Sequence, residues 1–110
     1  MNTKICTSIK QSKKLIELGI DRNTADMCWQ NNEFPIGFND DDAIPAWSLS
    51  ALLKMLPLPT LEETMITTTE TKWKCTIYCE HYAKYWSELH NDAIDALFEM
   101  VCWLKENEKI

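Results

Sequence analysis

Residues Asn91 to Asn107 read NDAIDALFEMVCWLKEN, and the periodicity of this stretch decides the fold. At about 100° per residue, Ile94, Leu97, Phe98, Val101 and Leu104 fall on one stripe, which Ala93, Ala96, Met100 and Trp103 widen. Only a narrow strip carrying Asp92, Asp95, Glu99 and Glu106 stays polar. A helix apolar over most of its circumference must be covered on more than one side, so this one is expected at the centre of the fold. Asn91 and Asp92 supply an N-cap, with Asp95 in the first turn where negative charge is favoured. Burial of the stripe implies that Phe98→Ala costs about 3–5 kcal/mol.

Upstream the period changes. From Trp73 to Glu80, Trp73, Cys75, Ile77 and Cys79 alternate with Lys74, Thr76, Tyr78 and Glu80, the pattern of a half-buried antiparallel strand. Met65 to Thr69 is rich in β-formers and reads as its neighbour. Residues 82–88 fit either a third strand or an upstream extension of the last helix; the cap at Asn91-Asp92 favours the strand.

Toward the N-terminus, Ser8-x-x-Gln11 forms a capping box opening a helix over residues 9–18. Gly19 stands where a left-handed C-cap residue is wanted, with Ile20 as its hydrophobic partner. Asp21 is placed to cap a short second helix through Thr24, Ala25, Met27 and Cys28. Phe34 to Phe38, broken by Pro35 and Gly37, reads as an irregular extended segment or edge strand, ending in an acidic loop at Asp40, Asp41 and Asp42. Ser48 caps a helix from Leu49 to Leu56, with Trp47 stapling onto Leu52 and Pro57 and Pro59 ending it. The expected architecture is α+β: one domain over residues 1–110, with a small antiparallel sheet of about three strands packed by the C-terminal helix and shorter N-terminal helices.

Composition narrows the function. The 110 residues are 45% hydrophobic and 25% charged, ordinary proportions for a globular chain able to build a core without metal or disulfides. Five scattered cysteines and no apolar leader in MNTKICTSIKQSKK point to a cytoplasmic protein with reduced thiols. The longest apolar run, Met100 to Leu104, is too short for a membrane span. Net charge is −6, which disfavours nucleic acid as a partner, since phosphate neutralisation supplies most of that affinity. The charge is uneven: residues 1–25 carry five cations against two acids, and the rest six lysines against 15 acids.

No constellation of residues rises to a catalytic or metal motif. Cys75, Cys79 and His81 are zinc-type ligands, but strand spacing sets the two cysteines about 13 Å apart, and their face is the one carrying Trp73 and Ile77, so they read as core. Asn39 to Asp42 lacks the alternating acids, glycine and distal Glu of a calcium loop. His81 and His90 belong to no motif that fixes a catalytic partner, and His90 reads as a surface residue. No cofactor is implied. Residues 11–30 carry a degenerate helix-turn-helix pattern, Leu18-Gly19-Ile20 as the turn and Lys13, Lys14 and Arg22 as phosphate contacts. Against it stand bulky Leu15 at a close-packing position, Lys14 at an apolar one, and Asp26 where phosphate would lie. Five tryptophans are many for this length, and Trp29, Trp47 and Trp86 sit near segment ends, where an indole is often half exposed and anchors protein interfaces.

The blocks SKKLIELG (Ser12 to Gly19), TADM (Thr24 to Met27), PAWSLSALL (Pro45 to Leu53) and ALFEMVCWLKEN (Ala96 to Asn107) resemble a group of uncharacterised small proteins encoded in gut Bacteroidales genomes, typically in prophages and other mobile elements. The resemblance spans most of the chain outside Glu62 to Leu89. It implies a bacterial or phage cytoplasmic setting and carries no functional residues across. The leading expectation is therefore a non-enzymatic accessory protein that acts by contact with a protein partner, inhibition of a host factor being one form. Trp29, Trp47, Trp86 and the Asp40 to Asp42 loop are its candidate contacts. The alternatives are a DNA-binding module built on residues 11–30 and an enzyme of unknown class. Oligomeric state is not encoded in any of these patterns.

Overall fold

A computed structural model describes residues 4–30, 34–37, 42–57, 59–65, 71–79 and 82–110. The C-terminal helix α3 runs Ala93–Glu106, opened by Asp92, whose side chain accepts from the Ile94 N–H. Its Ile94, Ala96, Leu97, Met100, Val101 and Leu104 are buried, Leu97, Val101 and Leu104 completely. Phe98 corrects the expected stripe: it is half-buried, packed on the margin of the core. It stands at the end of the arc nearest Asp95 and Cys102, so it closes the side of the core and meets solvent.

Three elements precede α3 in an antiparallel sheet of order β4-β5-β6: β4 Pro59–Met65, β5 Thr71–Cys79 and β6 Tyr82–Trp86. Residues 82–86 are thus strand, as the cap at Asp92 requires. The pairing partner of β5 starts at Pro59, ahead of the expected Met65–Thr69 segment; residues 66–69 lie outside those described. Proline opens the strand because a first position needs no ladder N–H. On β5, Cys75 and Ile77 turn inward to α3, and Trp73 packs at the core's edge. The Cys75 thiol is therefore a small buried hydrophobe, while the Cys79 side chain and His81 lie outside the described residues. Between Ile77 and Tyr78 the β5–β6 register slips, so that Lys84 is an extra residue on β6.

The N-terminal half forms a second sheet, of order β2-β1-β3: β1 Met27–Gln30, β2 Phe34–Ile36 and β3 Ile44–Ala46. The expected helix through Met27 and Cys28 is overturned here. Asp21 caps only a 3₁₀ turn, Arg22–Thr24, after which the chain extends into β1, the central strand. Pairing on both edges supplies every ladder bond that a short helix would have gained, and it buries Cys28 fully. Residues 11–30 therefore contain no recognition helix, and the helix-turn-helix reading fails on geometry. Pro35 and Pro45 sit on the two outer strands, opposite Trp29 and Cys28, where a residue without an N–H is tolerated.

Helix α1, Ile9–Glu17, has the capping box in full, Ser8 Oγ accepting from the Gln11 N–H and Gln11 Oε1 from the Ser8 N–H. Gly19 takes φ +93° and Ile20 folds back, its N–H on the Leu15 carbonyl. Helix α2, Leu49–Lys54, is capped by Ser48 and ends in a turn through Leu56.

The segment before α1 seats Trp47. The Thr7 N–H donates to the Trp47 carbonyl at 2.9 Å, the Trp47 N–H to Thr7 Oγ1 at 3.1 Å, and the indole N–H to Thr24 Oγ1 at 2.9 Å. With both polar ends satisfied, Trp47 has no accessible surface and is the largest side chain in the core. It is an anchor of the fold and not a half-exposed contact, which corrects its place among the interface candidates.

Candidate interaction surface

The stripe of α3 at the margin of the core carries Asp95, half-buried Phe98, Glu99, buried Cys102, Trp103 and Glu106, and lines a hollow of about 680 Å³. Helix α1 forms one bank. Gln11 Nε2 donates to Asp95 Oδ1 at 2.7 Å, Lys14 lies close enough to act electrostatically on Cys102, and Lys105 Cε comes within 3.7 Å of the place a Cβ on Gly19 would take. The contacts advance together along both helices, so α1 runs parallel to α3 and presents Lys10, Gln11 and Lys14 along the rim.

The opposite bank is β6. The Tyr85 and Trp103 rings lie 4.7 Å apart between centroids, tilted by 46°, a favourable separation for aromatic contact. A second hollow of about 200 Å³, bordered by Lys84, Tyr85, Trp86 and Met100, shares Glu99 and Trp103 with the first. The two adjoin at Glu99 and Trp103 along α3, and together are termed the trough. Its exposed apolar side chains include Trp86 (63% accessible) and Trp103 (42%).

Asp95 and Glu99 in the trough are engaged. Asp95 Oδ1 accepts from Lys4 Nζ at 2.6 Å as well as from Gln11. Glu99 Oε1 meets His90 Nε2 at 2.7 Å, and Oε2 accepts from the Glu88 N–H at 2.9 Å. His90, expected at the surface without a partner, is half-buried, and its backbone exchanges hydrogen bonds with Trp73 at 2.7 and 2.8 Å. These bonds fix the segment between β6 and α3. By contrast, among the described residues no hydrogen bond or ion pair is seen for Lys10, Lys14 or Glu106, while Lys84 Nζ lies over the Tyr85 ring, 5.4 Å from its centroid, in a cation–π contact.

Cys102 is held as a thiol. Burial first, then Glu106 and Glu99, push it up to about 11, with Lys14 opposing. Cys6, beneath the other sheet, is likewise raised to about 11 by burial and by Asp26. Iodoacetamide at pH 8 is expected to label Cys102 at least about tenfold more slowly in the folded than in the unfolded protein, the smaller thiolate fraction being partly offset by higher intrinsic nucleophilicity. Peptide mapping by mass spectrometry reads this, and equal rates in the two states would refute the protected thiol. The sign for stability follows: the folded thiols hold their protons more tightly, so their contribution is complete below pH 9 and is lost as pH rises through about 11.

The candidate residues do not converge. Trp86 borders the trough. Trp29 is half-buried, its indole N–H on the Thr7 carbonyl at 3.0 Å, and borders a separate hollow with Ile5 and Pro35. Trp47 is interior. Asp42 is exposed, and Asp40 and Asp41 lie outside the described residues. Lys13 and Lys14 are exposed on α1, but Arg22 is half-buried with Nη2 on the Ala43 carbonyl at 2.7 Å. Tyr85, Phe98 and Trp103 were not among the candidates, although the position of Trp103 at the edge of the apolar arc was their signal.

Comparison with protein-family models, characterised proteins and solved structures finds no match to this chain. Any reading of function therefore rests on the trough. Among the described residues no group of three or more His, Cys, Asp or Glu side chains is arranged to hold a metal ion, and no helix is long and apolar enough to cross a membrane.

Proposed function

We propose that this protein is a non-enzymatic cytoplasmic accessory protein that works by binding another protein along the α3 trough. The apolar surface on which exposed Trp103 and Trp86 stand beside half-buried Phe98 and Tyr85 carries the reading. Aromatic side chains fixed by packing lose little freedom when a partner covers them, which makes them efficient anchors. The resemblance of the N-terminal, Trp-Ser and C-terminal blocks to mobile-element proteins supports a bacterial or phage setting and a host or phage protein as the partner. The engaged acids and the protonated thiol leave the trough suited to contact more than to bond-making.

The test is capture from a bacterial host lysate, followed by titration of the purified partner. Trp86→Ala combined with Trp103→Ala is expected to weaken binding by at least about 30-fold, the hot-spot range. Trp29→Ala, on its separate hollow, should leave it within a few-fold. A partner bound equally well by the double variant would place the contact elsewhere and end this assignment.

A further inference from the structure

We draw no further inference here: the strongest candidate, the apolar hollow that Ile5, Cys6, Trp29 and Pro35 line on the face of the N-terminal sheet, carries nothing because no observation in the structure shows what covers it.

Discussion

Leu97→Ala is expected to lower the free energy of unfolding by about 2–5 kcal/mol, the cost of deleting a fully buried leucine and leaving a cavity. Leu97 has no accessible surface, on a helix that packs against β5 and α2. Against the total of about 5–15 kcal/mol typical of such domains, the variant should show a large drop in its urea midpoint with an unchanged slope. Phe98→Ala should cost clearly less, since Phe98 is half-exposed. The order of the two midpoints is the sharper measurement: Phe98→Ala as damaging as Leu97→Ala would contradict the orientation of α3 and, with it, the floor of the trough.

Trp47→Ala is expected to cost about 3–5 kcal/mol. The indole is fully buried in the core, and its loss also frees Thr24 Oγ1 from its donor. Trp47→Phe separates these contributions. It keeps most of the volume and removes the hydrogen bond, and because Thr24 is exposed its hydroxyl finds water instead. Phenylalanine should therefore recover more than half of the lost stability. If Trp47→Ala melts with the wild type in a thermal scan, the residue is not interior and its standing as an interface candidate returns.

What could be read from the residues depended on how local the cause was. The Ser8 to Gln11 box, the Gly19 cap and the Asp92 cap are interactions within a few residues of chain, and each stands where its pattern put it. The alternation from Trp73 to Glu80 likewise marks β5. Strand β1 reads as helix because Thr24, Ala25 and Cys28 fit helical spacing, while the bonds that make Met27–Gln30 a strand come from β2 and β3. Nothing within the four residues announces partners that each carry a proline at their centre. The trough was missed for the same reason. Trp103 and Tyr85 are 18 residues apart, and Lys14 and Cys102 are 88 apart, so the sequence displays each residue and hides the neighbourhood. The tryptophans chosen for lying near segment ends divided three ways because an end can be a surface or a junction, and Trp47 lies at a junction sealed by Thr7.

Lys4 reaches across the molecule to hold both Asp92, by its backbone N–H at 2.8 Å, and Asp95, by its ammonium. The segment before α1 thus waits for α3 before it can settle. Until α3 has emerged, Leu15, Trp47 and Ile77 have no common surface to pack on, so a nascent chain should stay sensitive to protease until α3 is made and become resistant all at once.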